Sequence, residues 1–325
     1  MLIALLQILG GFVLLIWSAD RLVAGASSCA VHFGISPLVI GLVIIGFGTS
    51  APEMVVSAVA ALQGNPGFAV GNALGSNITN VGLVLGLTAI LYPLRVDSQI
   101  LRREVPVLFA IMLLATLLLS DLRLSLGDGV ILLAGLVLML VWMSRLSLKS
   151  GKSDLLMTEL EDEIPTDIPL RKAVMWTLLG LILLPLSSTV LVAGATFIAE
   201  QLGVSDEIIG LTVLAIGTSL PELAAALASA MKQEHELAIG NVLGSNMFNL
   251  LGVLGIAAVI SPLNVSAEIL NRDTVAMFVL TSMLVLFAIR RHGTGTVQRY
   301  HGTVLLAIYC GYVYLLASSV VQAIA

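Results

Sequence analysis

Gly48-Thr49-Ser50-Ala51-Pro52-Glu53 recurs 169 residues later as Gly217-Thr218-Ser219-Leu220-Pro221-Glu222. Gly71-Asn72-Ala73-Leu74-Gly75-Ser76-Asn77 returns at the same offset as Gly240-Asn241-Val242-Leu243-Gly244-Ser245-Asn246, with no insertion between the two motifs. Val23-Ala24-Gly25-Ala26 returns as Val192-Ala193-Gly194-Ala195, and Asn80 as Asn249. A constant offset over this many residues is the mark of a duplication, so whatever the first half builds the second half builds again.

Composition says where it is built. Of 325 residues 58% are hydrophobic and only 11% charged, and the mean hydropathy is +1.06. A soluble protein of this size has too much surface to cover with so few charges, so most of the chain faces lipid or other helices. That excludes a cytosolic enzyme, a secreted disulfide scaffold and a nucleic-acid binder, which needs a basic surface. Cys29 and Cys310 fit no metal-ligand pattern and read as unpaired small apolar residues. The apolar run from Leu2 to Trp17 lacks a basic leader and reads as a retained first span, not a signal peptide.

A helix needs about 20 apolar residues to cross the hydrocarbon core. Such runs lie near 2–29, 37–62, 68–91, 104–120 and 127–146, and again near 171–199, 207–231, 237–260, 273–290 and 302–321. The expected architecture is an all-α polytopic membrane protein of ten transmembrane helices. Residues 1–146 form one five-helix repeat and 170–325 the second, joined by a linker at 147–169. Asp154, Glu159, Glu161, Asp162, Glu163 and Asp167 crowd that linker, which reads as a solvated segment; partner docking is the alternative.

An odd number of spans forces the second repeat to enter the bilayer from the opposite side, the inverted arrangement common in secondary transporters. Basic residues supply an independent test. With the N-terminus outside, twelve Lys and Arg fall in inner loops, against only Arg123 and Arg272 in outer ones. This asymmetry places both termini outside and the linker in the cytosol. Arg21 lies near the inner end of the first span, within snorkelling reach of water.

Glu53 and Glu222 fall in the middle of the second and seventh spans. A central charge costs about 2.5–3.5 kcal/mol even on insertion-based scales, yet both halves keep one in the same frame. A protonated Glu bonding between helices is the structural alternative. Pro52 and Pro221 have no N–H and clash with the carbonyl four residues back, so the Gly-Thr-Ser runs before them favour a helix break. Backbone oxygens freed at that depth are tolerated only inside protein or beside a polar cavity. Carbonyls, hydroxyls and carboxylates together make a hard-oxygen set suited to Ca²⁺ or Na⁺. Ser76 with Asn80, and Ser245 with Asn249, are four residues apart and share a helix face. These polar groups either line the same cavity or glue helices together, the second reading being stronger for Asn77 and Asn246. Gly71/Gly75 and Gly240/Gly244 have the spacing that lets helices approach closely.

The paired Gly-Thr-Ser-x-Pro-Glu and Gly-Asn-x-x-Gly-Ser-Asn-x-x-Asn motifs resemble the cation/calcium exchanger superfamily, specifically its prokaryotic sodium/calcium antiporter branch. The likeness spans both halves. It implies ten helices around a central cation site, alternating access, and no cofactor beyond the transported Ca²⁺ and Na⁺. Carried over by position, calcium ligands would be Glu53 and Glu222 with the backbone carbonyls of Thr49 and Thr218. Sodium sites would add Ser50, Ser219, Ser76 and Ser245, and Asn80 and Asn249 would take the remaining central positions. Some members of the family carry Asp at one or both of those last positions, whereas this chain has Asn at both. The linker has no room for the regulatory calcium-binding domains of animal exchangers.

The expected partners are therefore calcium, sodium and membrane lipid, with no nucleic acid, in a bacterial or archaeal inner membrane. A proton-coupled or potassium-dependent exchanger is the alternative within the class. An intramembrane enzyme would need a nucleophile–base pair or zinc ligands at depth, and neither is visible. A single pseudo-symmetric site within one chain suits an exchanger better than a channel. Asp20 and Arg21, replaced in the other repeat by Thr189 and Val190, read as interface anchors. His32, His235, His292 and His301 fall in expected inner loops, away from any membrane proton relay. Gly127-Asp128-Gly129, which echoes part of an intramembrane protease motif, lacks a partner Asp in another span.

Overall fold

The computed structural model describes residues 1–33, 50–96, 98–150, 168–289 and 295–324. Helices dominate. The first half contributes α1 (Leu2–His32), α2 (Ala51–Leu62) and α3 (Pro66–Thr79), which passes through a π-helical turn (Asn80–Leu85) into α4 (Gly86–Leu91). Strand β1 (Leu94–Val96), α5 (Ser98–Leu118), β2 (Arg123–Leu124) and α6 (Leu126–Ser150) follow. The second half opens with α7 (Leu170–Leu202). Next come α8 (Asp206–Ile209), a π-helical turn (Gly210–Leu214), α9 (Ala215–Thr218) and α10 (Leu220–Met231). Then α11 (His235–Phe248) runs through a π-helical turn (Asn249–Val253) into α12 (Leu254–Ile260), followed by β3 (Leu263–Asn264). A π-helical turn (Ile269–Asp273) leads into α13 (Thr274–Ala288), and β4 (Gly295–Val297) and α14 (Arg299–Ile324) end the chain. The duplication is thus visible in the elements: α2 and α3 recur as α10 and α11 with both boundaries displaced by the repeat offset.

Among the described residues eight helical spans are long and apolar enough to cross a membrane. They begin at Leu2, Pro66, Leu126, Leu170, Asp206, His235, Ile269 and Arg299. The chain is a helical integral membrane protein. Two of the expected spans are not among the eight. Of the one near 37–62 only Ala51–Leu62 is described, because 34–49 lie outside the described residues. The one near 104–120 corresponds to α5, whose first turns carry Arg102, Arg103 and Glu104, so it is not apolar throughout. Most of the acidic linker (151–167) and His292 also lie outside the described residues.

The expectation of an all-helical chain needs one correction, because four short strands form two antiparallel pairs. Leu94–Val96 of β1 pairs with Gly295–Val297 of β4, and Arg123–Leu124 of β2 pairs with Leu263–Asn264 of β3. Each pair takes one strand from each half. β1 and β2 are separated by the 21 residues of α5, about 31 Å of helix, so the pairs lie roughly one hydrocarbon thickness apart.

Packing is layered around α3–α4 and α11–α12, the two spans most enclosed by protein. Gly71 shows why. A Cβ there would lie 2.2 Å from the Glu207 carbonyl oxygen, and one at Gly75 would lie 2.7 Å from Leu211 Cα, so any side chain would drive the α8–α9 segment off α3. Among the described residues nothing approaches the corresponding position at Gly244. α1 and α7 lie on the outside, packed along each other, with Leu2, Ile3, Leu6, Leu9, Leu178, Leu181, Ile182 and Leu186 exposed. An apolar surface of that extent belongs against lipid.

Minor features resolve locally. Asp128 Oδ2 accepts hydrogen bonds from Ser125 N (2.8 Å) and Ser125 Oγ (2.6 Å), while Asp128 N donates to Ser125 Oγ (3.2 Å). This reciprocal cap starts α6 and accounts for the Gly-Asp-Gly run. Cys29 and Cys310 are free thiols. Three histidines expected in loops sit at helix ends instead: His32 in the last turn of α1, His235 opening α11 and His301 near the start of α14.

Candidate cation site

The second Gly-Thr-Ser-x-Pro-Glu motif folds as a helix break, and of the first the described part, Ser50 to Glu53, has the same form. Ser50 and Ser219 share a non-helical backbone (φ −87°, ψ 0° and φ −83°, ψ 3°) and each precedes a helix with proline in its first turn. A new helix must therefore start there, and Glu53 and Glu222 fall in the first turns of α2 and α10. The positive end of a helix favours a carboxylate at that place. Asn80 and Asn249 occupy the reciprocal position, where α3 and α11 end and a π-helical turn begins. Such turns widen a helix and often occur at functional sites.

All nine described candidates are buried: Ser50, Glu53, Ser76, Asn80, Thr218, Ser219, Glu222, Ser245 and Asn249 are each 0–1% exposed. Thr49 lies outside the described residues. Ser245 is the hub. Its hydroxyl donates to Glu222 Oε1 (2.9 Å) and accepts from Ser50 Oγ (3.0 Å), with Asn80 Nδ2 at 3.4 Å. The single Thr218 hydroxyl proton lies between two acceptors, Asn72 Oδ1 (3.1 Å) and the Leu214 carbonyl (3.0 Å). Ser76 Oγ lies 3.5 Å from Thr218 Oγ1.

Residues outside the expected set hold these groups in place. Asn77 Nδ2 donates to the Asn246 carbonyl (3.1 Å), which can only accept, so Asn77 Oδ1 must turn the other way. There it accepts from Asn249 Nδ2 (3.1 Å). The mirrored bond runs from Asn80 Nδ2 to Asn246 Oδ1 (3.0 Å). With their amide nitrogens so engaged, Asn80 and Asn249 keep their side-chain oxygens free. Asn72 donates to Ser57 Oγ (3.1 Å) and to the Glu53 carbonyl (3.4 Å), fixing the first turn of α2. Asn77 and Asn246, read from sequence as helix glue, are thus the positioning partners of the central amides. Their spacing of three from Asn80 and Asn249 in both halves was the available signal.

The result is an unusual set of acceptors. Glu53 Oε1 and Oε2, Glu222 Oε2, Asn80 Oδ1 and Asn249 Oδ1 are buried and receive no hydrogen bond from the protein, and the Ser219 hydroxyl is also unengaged. Buried acceptors are ordinarily satisfied, and a cluster with oxygens to spare fits a cation. Among the described residues no group of three or more His, Cys, Asp or Glu side chains could hold a metal ion. Two carboxylates with amide, hydroxyl and carbonyl oxygens suit hard, weakly held ions such as Ca²⁺ and Na⁺, not a tightly bound transition metal.

A duplicated helical membrane fold with central carboxylates and a hard-oxygen lining defines an ion-transporting membrane protein. The sodium/calcium exchanger protein family matches the chain over residues 3–145 and 172–317, and the chain belongs to that family. It is 49% identical over 319 residues to CaxA of Alkalimonas amylolytica, named as an antiporter, covering 98% of this chain and 100% of that protein. It is 40% identical to the inner membrane protein YrbG of Escherichia coli, covering 90% of each chain. The solved sodium-calcium exchanger NCX_Mj, soaked with Na⁺ and Sr²⁺, superposes with a TM-score of 0.63 at 32% identity, over 95% of this chain and 97% of that one.

Proposed function

We propose that the chain is a secondary antiporter that exchanges calcium for sodium across an inner membrane by alternating access. The observation that carries this reading is the set of five buried oxygens, on Glu53, Glu222, Asn80 and Asn249, that accept no bond from the protein. The calcium ligands are Glu53 and Glu222 with the carbonyls of Thr49 and Thr218. Ser50, Ser219, Ser76, Ser245, Asn80 and Asn249 supply the neutral oxygens for sodium. Ten helices in two inverted repeats, 1–146 and 170–325, enclose the site, with the linker at 147–169 in the cytosol and both termini outside. The exchanged strand pairs, β1 with β4 and β2 with β3, support the inverted relation, because the repeat offset carries β1 onto β3 and brings β2 to within three residues of β4.

Charge counting gives the transport mode. Two carboxylates neutralise one Ca²⁺, which lowers the cost of enclosing it in low dielectric. Three Na⁺ leave a net +1, and the duplicated Ser and Thr oxygens provide ligands for the third. A full charge crossing the field is worth about 2.3 kcal/mol per 100 mV, so sodium-driven calcium uptake into proteoliposomes responds to a clamped membrane potential. Voltage-independent uptake rejects three-for-one exchange. Uptake driven by a proton gradient alone rejects sodium coupling.

A further inference from the structure

We propose that the Trp176 end of the α1–α7 pair is a binding site for the phosphate of an anionic phospholipid. Arg21 of α1 places its guanidinium carbon 4.4 Å from the centroid of the Trp176 ring on α7 and 6.0 Å from that of Trp17 on its own helix. Lys172 of α7 places its ammonium 4.6 Å from the same Trp176 ring. Two cations from two helices therefore gather on one indole. The counter-charge is Asp20, whose carboxylate lies 2.9 Å from Arg21 Nη2 and is itself 63% exposed. One exposed carboxylate against two cations leaves a net charge of about +1, and like charges held together call for an external anion.

The position selects a lipid as that anion. Trp17, Val174, Met175 and Leu178 around the cluster are exposed apolar residues, as on a surface facing hydrocarbon. Trp176 lies six residues into α7, about 9 Å from its start, the level at which Trp rings belong between hydrocarbon and headgroups. Basic groups between helices on that side attract anionic headgroups. The helices touch here, since a Cβ on Gly25 would lie 2.6 Å from Thr177 N, so one headgroup reaches both.

The duplication provides a control within the molecule. At the opposite end of the pair, Trp17, Asp20 and Arg21 correspond to Leu186, Thr189 and Val190, and Lys172 and Trp176 to Ile3 and Gln7. The motifs of the cation site are retained in both halves, whereas this cluster exists at one end alone. It is an addition to the duplicated core and serves one leaflet. Assigning that leaflet to the cytosolic side rests on the orientation proposed above; the site itself does not.

Trp176 supplies the readout. The full chain with Trp17 and Trp142 replaced by Phe is reconstituted with brominated phosphatidylglycerol or brominated phosphatidylcholine, and Trp176 quenching is followed against lipid fraction. A basic residue at the surface contributes roughly a five-fold preference, so two give on the order of 25-fold in favour of phosphatidylglycerol. Lys172→Gln, an exposed change at a helix start, should reduce that preference about five-fold, and Arg21→Gln/Lys172→Gln should abolish it. Equal quenching by both lipids overturns the proposal. So does relief of quenching by inorganic phosphate, which assigns the site to a free anion. A preference that emerges only after the linker carboxylates are neutralised overturns it too, because the chain's own linker then fills the site. Fluorescence is independent of transport, so this outcome and that of the antiport assay are read separately.

Discussion

Replacing Asn77 with leucine removes no proposed ligand, yet it should cripple the cation site. Asn77 accepts from Asn249 Nδ2 at 3.1 Å and donates to the Asn246 carbonyl at 3.1 Å. Leucine fills similar space but leaves both groups unsatisfied, at about 1–3 kcal/mol each. The Asn249 amide can relieve its share by rotating, which turns an N–H towards the site in place of the oxygen. Losing one hydrogen-bond-strength contact to a charged group costs about 1.5–3 kcal/mol, or roughly ten- to hundred-fold in calcium affinity. The assay is the calcium dependence of uptake into sodium-loaded proteoliposomes, with thermal stability measured in parallel. N77L should raise the KM for calcium by that factor. N77D, which keeps an acceptor for Asn249, should lie closer to the parent. A packing role gives the opposite order, because leucine suits a buried site better than a carboxylate, so N77L outperforming N77D refutes the reasoning.

Two further predictions bear on the site and the topology. Glu53→Gln or Glu222→Gln leaves calcium half-compensated in a buried site, a loss of about 3–5 kcal/mol. Calcium exchange should fall at least a hundred-fold while the protein remains inserted, and near-normal flux in either variant would remove that carboxylate from the site. In a background lacking Cys29 and Cys310, a cysteine in the linker should resist an impermeant thiol reagent in intact cells while one at either terminus reacts; the reverse pattern overturns the orientation.

The ionic centre was legible in the sequence because its chemistry is costly in lipid. A carboxylate at mid-membrane depth, followed by a second at the repeat offset, has few explanations, and the prolines beside them dictated where α2 and α10 start. Asn77 and Asn246 were harder to read. Each is one residue away from a serine on the expected cavity face, and face-sharing on one helix pointed them elsewhere. Their partners are on the other half of the molecule: Asn77 meets Asn249 and Asn246 meets Asn80, contacts that helical spacing within one segment does not encode. The strands were invisible for a related reason. Leu94-Arg95-Val96 is too short for an alternating pattern to stand out, and its pairing partner, Gly295–Val297, lies in the other half of the chain.

Those strand pairs also restrict how the molecule can move. Each half clasps the other at two levels about a bilayer apart, like a door held by a hasp at top and bottom. Swinging one whole half against the other would tear both ladders at once. α1 and α7, which lie against each other, carry no strand of either clasp. A transport cycle that leaves the ladders intact must therefore rearrange helices around a body that stays clasped, without parting the two halves.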